Sequence, residues 1–329
     1  MGAVVSEDRR LLQAAPFQSL GAYLDHGGGA GLVGARHIGA AETIAEIGAA
    51  GLRGRGGAGF PAAVKWRSVA DGGPGARYAV ANGAEGEPGT FKDRALMRAN
   101  PYAVLEGLLI AAEAVGARHA FIALKASFEP ELAALRRALA EIDDAGWLAG
   151  IEVTVVTGPE EYLFGEEKAL LEVIEGNEPL PRWLPPYLHG LFATAPQLGW
   201  QAHDRDAADL SAPSANPTLV NNVETLAHSA WILAHGADQF REAGTSASPG
   251  TLVCTVVGDV VRPAVLEVPM NTPLRTVLDQ CGGPEPGHRI KAVFPGVANR
   301  IYVLHDGESM GVNWTLSARA WYRPRRVTI

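Results

Sequence analysis

Cysteine is nearly absent from this chain of 329 residues, which has only Cys254 and Cys281. Neither has a second cysteine at metal-ligand spacing, so an ordinary zinc or iron–sulfur site is excluded within this sequence. A disulfide framework is excluded too, and reduced thiols in a cytoplasmic protein fit best. Cys254 lies between Val253 and Thr255 in a strand pattern, where a small thiol packs like an apolar residue. Cys281 precedes Gly282-Gly283 at a helix end and reads as a gap-filler. A basic surface is also missing. Asp and Glu number 36 against 28 Lys and Arg, for a net charge of −8, so nucleic acid is not an expected partner. Long hydrophobic runs are lacking. The most apolar stretch, residues 104–115, is broken by Glu106 and Glu113 and cannot span a bilayer. No secretory signal is visible. Met1-Gly2-Ala3-Val4-Val5-Ser6 matches the loose myristoylation pattern, a short match that an ordinary N-terminus also satisfies.

Glycine, by contrast, is abundant at 39 residues. Four of them fall in Leu52-Arg53-Gly54-Arg55-Gly56-Gly57-Ala58-Gly59-Phe60-Pro61-Ala62-Ala63-Val64-Lys65-Trp66. Each glycine costs a helix roughly 1 kcal/mol, so the run reads as loop. Without Cβ atoms its backbone N–H groups can press against a flat or anionic ligand. Arg53, Arg55 and Lys65 add positive charge, and Phe60 and Trp66 add faces for stacking. The glycines alone would suit a plain surface turn. Together with these neighbours they favour a nucleotide or flavin cradle. A P-loop is ruled out because Phe60-Pro61 follows Gly59 where Lys-Ser/Thr is needed. A Rossmann fingerprint is ruled out because residues 43–50 read as helix where a strand is needed.

The chain is 47% hydrophobic and 19% charged, a soluble globular composition with length enough for two cores. Residues 1–19 carry little pattern and are expected to be loose. Leu20–Asp25 reads as a short helix stopped by Gly27-Gly28-Gly29. Ala40–Ala50 reads as a helix with Ile44 and Ile47 on one face and Gly51 as its stop. After a turn at residues 71–75, residues 77–81 read as a strand. It runs into Asn82-Gly83-Ala84-Glu85-Gly86-Glu87-Pro88-Gly89. Asn100-Pro101 signals a helix start, Val104, Leu108, Ala112 and Val115 give its apolar face, and Gly116 ends it. Residues 119–124 form the next strand, 130–142 the next helix and 151–156 a third strand, followed by Gly158-Pro159-Glu160-Glu161-Tyr162-Leu163-Phe164-Gly165-Glu166-Glu167 and a helix over 166–174.

This alternation predicts an α/β fold with a mostly parallel sheet and crossover helices. Ligands of such sheets bind outside the strand carboxyl ends. The loops at Asn82 and Gly158 should therefore share one sheet edge. Residues 176–195, rich in proline and aromatics, read as an ordered covering loop. Asn221 reads as the cap of a helix ending at His235, with Glu224 at its third position as in a capping box. Such a helix start suits a phosphate, and equally an ordinary capped helix. Residues 244–250 read as a linker of small residues. Strands over 251–257, 265–269 and 290–294 and a helix over 274–278 suggest a small β-rich second domain. Residues from His305 onward show no clear period.

Four motifs together resemble one family: residues 52–66, Asn82 to Arg94, Glu161 to Glu167, and Asn221-Asn222-Val223-Glu224-Thr225. The chain resembles the flavin-carrying, NADH-oxidising subunit of respiratory NADH:quinone oxidoreductase and its relatives in NAD-linked hydrogenases and formate dehydrogenases. The resemblance covers residues 20–299. It implies a Rossmann-like FMN domain followed by a ubiquitin-like β-grasp domain. In those terms the chain divides into an N-terminal segment (1–36), an FMN/NADH-binding domain (37–244), a β-grasp, soluble-ligand-binding domain (245–304) and a divergent tail (305–329). The resemblance places Gly54, Arg55, Gly56, Gly57 and Lys65 along the flavin ring and the NADH channel. Asn82, Glu85, Gly86, Tyr162, Gly165 and Glu166 would hold the ring and ribityl chain, and Asn221, Asn222 and Thr225 the phosphate. Phe60, Glu87, Glu167 and Tyr187 would meet NADH. No catalytic side chain is implied, because flavin carries the chemistry.

The departures from the family fall mainly on the NADH side. Ala84 stands where relatives usually carry Asp, Arg67-Ser68 where they often carry a second adenine-stacking aromatic, and Leu184 where they carry Lys. The family continues into a four-cysteine iron–sulfur domain. Here the resemblance fades after Asn299 and no cysteine follows Cys281, so the tail reads as a replaced end and no cluster is expected in this chain. Two functions follow. One is an FMN-dependent NADH dehydrogenase (diaphorase) passing electrons to a partner subunit or acceptor, cytoplasmic or peripheral to a membrane complex through partners. The other is a non-catalytic FMN- or nucleotide-binding module without an electron exit route.

Overall fold

The computed structural model describes residues 9–197, 213–294, 302–303 and 326–328. Its first helix, α1 (Leu20–Asp25), starts where the Ser19 hydroxyl accepts the Ala22 N–H at 3.2 Å. Helices α2 (Ala30–Ile38) and α3 (Ala40–Ala50) follow, separated by Gly39. The sequence reading missed α2, whose period is hidden by Gly31 and Gly34. It also missed α4 (Ala62–Ala70), which begins directly after Pro61. The last third of the glycine-rich run, residues 62–66, is therefore helix, carrying Lys65 and Trp66.

The parallel sheet then builds up: β1 (Tyr78–Asn82), α5 (Lys92–Ala99), α6 (Pro101–Val115), β2 (His119–Lys125), α7 (Glu129–Asp144), β3 (Glu152–Gly158), α8 (Glu167–Ile174), β4 (Thr218–Asn222) and α9 (Val223–His235). The four strands lie in the order β3-β2-β1-β4, all parallel. Strand β4 is a correction to the sequence reading, which ran this segment straight into a helix. Its pairing aligns Asn82 with Asn222, so two asparagines end adjacent strands on one edge. The cap also moves by one residue. Asn222, not Asn221, accepts the Glu224 N–H at 3.0 Å. Glu224 thus sits one place earlier than a capping box needs.

Helix α6 is the centre of the first core. It opens as its sequence predicts, with Asn100 Oδ1 accepting the Ala103 N–H at 3.1 Å, Pro101 in the first turn and Gly116 left-handed at φ 75°. Being apolar on every side, it is buried on every side. Its one buried charge, Glu106, accepts the Tyr23 hydroxyl at 2.6 Å and the Gly29 and Leu32 N–H groups at 2.9 and 2.8 Å. Those bonds offset the desolvation of the carboxylate and pin the start of α2. Gly107 lets α9 approach so closely that a Cβ there would lie 1.9 Å from the Leu226 carbonyl oxygen.

Beyond α10 (Ala237–Arg241), the stretch expected to be a linker forms a small antiparallel hairpin, β5 (Gly244–Thr245) with β6 (Ser248–Pro249). The second unit comprises β7 (Thr251–Val257), β8 (Ala264–Pro269), α11 (Leu274–Gln280), β9 (Ala292–Val293), β10 (Tyr302–Val303) and β11 (Arg326–Thr328). β7 and β8 are antiparallel, and β11 adds in parallel to β7. Apart from residues 326–328, the tail after Val303 lies outside the described residues. Cys254 and Cys281 are both buried in this second core.

Strand β7 is buried on both faces, and the period of two divides it between two cores. Leu252, Cys254 and Val256 belong to the second core, while Val253 belongs to the first. On the first-domain side, Thr255 Oγ1 accepts the Phe91 N–H at 2.9 Å and Thr251 Oγ1 donates to Glu267 at 2.6 Å. Glu267, buried on β8, also accepts the Arg10, Leu11 and Leu12 N–H groups at 3.1, 2.8 and 2.9 Å. Residues 9–19 are thus docked, contrary to the expectation of a loose start, and Leu11, Leu12 and Phe17 join the first core. No helix among the described residues is long and apolar enough to cross a membrane.

Candidate functional site

The glycine-rich segment folds back on itself before it meets the sheet. Gly54 N–H donates to the Phe60 carbonyl at 2.8 Å, Arg53 Nε to the Gly59 carbonyl at 2.8 Å, and Gly59 takes a positive φ of 66°. The turn then leans on the end of β4. A Cβ on Gly56 would lie 2.8 Å from the Asn222 Cβ, so only glycine permits this approach. Thr225, in the first turn of α9, accepts the Arg55 N–H at 2.8 Å and fixes the contact.

The cradle, the carboxyl ends of β1 and β4, and the loop after β3 enclose one cavity of about 980 Å³. The sequence alone left the cradle unplaced, and the structure sets it over the sheet edge that carries the other motifs. Of the residues that the resemblance assigns to flavin or dinucleotide, all but Arg55 line this cavity. The Arg55 guanidinium turns away, is 2% exposed, and donates to the Pro249 carbonyl at 3.0 Å. Its side chain ties the cradle to the β5–β6 hairpin that precedes the second unit. Trp66 is likewise no stacking face. It is fully buried and its indole N–H donates to Asn221 Oδ1 at 2.7 Å. Phe60 and Tyr187, 54% and 40% exposed, are cavity-lining aromatics with open faces.

The remaining candidates hold one another in place. Asn82 donates to the Gly165 carbonyl at 2.9 Å and accepts the Ala84 N–H at 3.1 Å, which joins two loops at the sheet edge. Gly165 allows the same contact, since a Cβ there would lie 2.8 Å from the Ala84 carbonyl oxygen. Glu166 caps α8 by accepting the Lys168 and Ala169 N–H groups at 2.9 and 3.0 Å. Across the mouth, Tyr162 donates to Glu87 at 2.9 Å and Lys65 pairs with Glu167. Glu85 accepts the Asp93 and Arg94 N–H groups at 3.2 and 3.3 Å, at the start of α5. Burial, and next the nearby Asp93 carboxylate, push the Glu85 carboxyl up to about 7.

Among the lining residues given no role from sequence are two buried charges, Lys92 and Asp93. They stand inside the motif Asn82 to Arg94, and the signal that could have found them was α5 itself. That helix has no side-chain cap, because Phe91 holds the capping position. Glu87 Oε2 and Thr90 Oγ1 are buried with no hydrogen-bond partner among the described residues. Gly57 lines the cavity, and a Cβ there would meet nothing within 4 Å. Space for a flat group, orphaned polar atoms and a helix start together fit a flavin nucleotide.

Comparison with known proteins gives the same assignment. The sequence profile of the Nuo51 FMN-binding domain matches residues 47–230, and that of the SLBB domain matches residues 253–313. An NADH-quinone oxidoreductase subunit from Streptomyces coelicolor is 38% identical over 288 residues, covering 84% of this chain and 59% of the relative. Its counterpart in Aquifex aeolicus is 36% identical over 289 residues, covering 84% and 62%. This chain thus spans about three-fifths of the length of these curated relatives. Among solved structures, NAD+-reducing [NiFe]-hydrogenase in the H2-reduced state matches with a TM-score of 0.71 and 31% identity, covering 87% of this chain and 46% of that one. The air-oxidised state matches with a TM-score of 0.73 and 29% identity, over 95% and 51%. By profile over more than half of its length, the chain belongs to the Nuo51 FMN-binding domain family.

Proposed function

We propose that this protein is an FMN-dependent NADH dehydrogenase module that passes electrons to a partner subunit or a small acceptor. The observation that carries this reading is the convergence of the cradle, the Asn82 loop, the Tyr162–Glu167 segment and the start of α9 on a single cavity. Bound FMN would supply hydride-accepting chemistry. The chain's own part is to bind, orient and exclude water. The start of α9, with Asn222 and Thr225, would hold the FMN phosphate. Asn82, Glu85, Gly86 and Gly165 would hold its ring and ribityl chain. Gly57 leaves the room a planar group needs. Phe60 and Tyr187 offer faces to the dinucleotide, and Glu87 and Glu167 offer carboxylates to its hydroxyl groups. Those carboxylates also oppose an added phosphate on the ribose, which favours NADH over NADPH.

The boundaries 1–36, 37–244, 245–304 and 305–329 belong to this reading, as does a cytoplasmic location, peripheral to a membrane only through partners. Anaerobic titration tests it. FMN-loaded protein is expected to lose its flavin absorbance on adding NADH, and Arg55→Ala with Asn222→Ala is expected to weaken FMN binding. Protein that binds FMN but is not bleached by NADH is the non-catalytic binding module instead.

A further inference from the structure

One buried carboxylate serves both the cavity floor and the second unit. Glu224 is fully buried in the first turn of α9 and does not itself line the cavity. Its Oε2 accepts from Lys92 Nζ at 2.9 Å. Its Oε1 accepts the Val253 N–H of β7 at 2.9 Å. Lys92, 4% exposed, also donates to Asp93 Oδ1 at 2.6 Å and to Asn222 Oδ1 at 3.3 Å. Asn222 closes the ring by donating to Asp93 Oδ2 at 2.8 Å. Lys92, Asp93 and Asn222 face the cavity, and Glu224 stands behind them. With two carboxylates on one ammonium, Lys92 organises its neighbours more than it offers charge to a ligand. His228 lies behind Glu224, its Nε2 3.8 Å from Oε1, and burial lowers its pKa to about 4, so it adds no charge near neutrality.

We propose that Glu224 is a positioning residue that registers the α9 helix start, and with it the phosphate-binding end of the cavity, against strand β7 of the second unit. The proposal rests on the FMN reading above. It also explains why a carboxylate is needed there. The Lys92 ammonium and the Val253 N–H each meet a different acceptor oxygen of the carboxylate. Glutamine has one such oxygen, and its NH₂ would face a donor. Removing this link leaves the flavin-ring end of the cavity intact and disturbs the anion end.

The test uses Glu224→Gln in the full chain with two probes, FMN and riboflavin, which differ by the phosphate. FMN affinity is expected to fall about tenfold or more while riboflavin affinity changes less than about twofold. An equal loss for both probes means general damage and overturns the proposal, as does no loss for either. Should that variant fail to fold, Lys92→Met combined with Glu224→Gln removes the ammonium with its carboxylate, and the same selective loss of FMN over riboflavin is expected. Amide hydrogen exchange on ligand-free protein gives an independent reading. Glu224→Gln is expected to speed exchange at residues 222–226 and at 251–255 alike. Faster exchange on one side only overturns the proposal. A wild-type protein that binds neither probe refutes the FMN reading, and hydrogen exchange still decides the link.

Discussion

Glu85 shows how a single side chain sets a pH dependence. Its carboxyl moves from an ordinary value of 4.5 to about 7, chiefly because it is buried. Below about 4.5 folded and unfolded chains both hold the proton. Between the two values only the folded chain keeps it, so stability falls as pH rises through this window, by on the order of 3 kcal/mol in all. Glu85→Gln is therefore expected to raise the urea midpoint at pH 8 and to change little at pH 4. A gain of equal size at both pH values would show a carboxyl that never titrates in that range. Gly57 makes a complementary case. A methyl group there meets nothing in the fold, so Gly57→Ala should leave the melting temperature unchanged and weaken FMN binding by intruding on the cavity. A melting temperature lowered by several degrees would contradict that geometry. At this scale the cavity lining was legible where residue type itself makes the contact, as in the close approach of Gly56 and the two side-chain hydrogen bonds of Asn82. The directions of Arg55 and Trp66 were not legible. Their partners, Pro249 and Asn221, lie 194 and 155 residues away in the chain, and no local pattern announces such a distance.

Among the elements, α6 and α9 depend most on close approach. Gly107→Ala would set a methyl group 1.9 Å from the Leu226 carbonyl oxygen. The helices must then separate, at a cost expected to exceed about 3 kcal/mol, which urea denaturation would read. A loss below about 1 kcal/mol would mean that the helix pair slides freely, against the dense packing of interiors. The same helices show what the sequence discloses. The bounds of α6 were readable from Asn100, Pro101 and Gly116, because a cap, a first-turn proline and a left-handed glycine act locally. Helix α5 was hidden because no capping side chain opens it. Strand β4 was hidden because its five residues end in asparagines, which also suit helix caps. What selects the strand is its pairing with β1, a choice made by tertiary structure.

For the whole molecule, the two cysteines bear on where electrons can go. Both are buried in the second core, and a four-iron cluster of ordinary type needs four thiolates. The isolated chain is therefore expected to carry no iron and still to reduce ferricyanide with NADH. Iron analysis and electron paramagnetic resonance of dithionite-reduced protein check this, and a stoichiometric cluster signal would refute it. That a β-rich unit follows the parallel-sheet unit was legible from the change of pattern after Gly250. Their tight joining was not, since it depends on Arg55, Phe91 and Glu224 each bonding to residues 249–255. That joint has a consequence for descent. Strand β7 is a party wall, with Val253 furnishing one room and Leu252, Cys254 and Val256 the other. Any exchange of second units between related chains carries that wall along. The newcomer matches the first unit as this one does if it brings an apolar side chain where Val253 stands and a hydroxyl where Thr255 accepts the Phe91 N–H. A substitution on the Val253 face of this strand is thus felt in the first core, although it is made in the second unit.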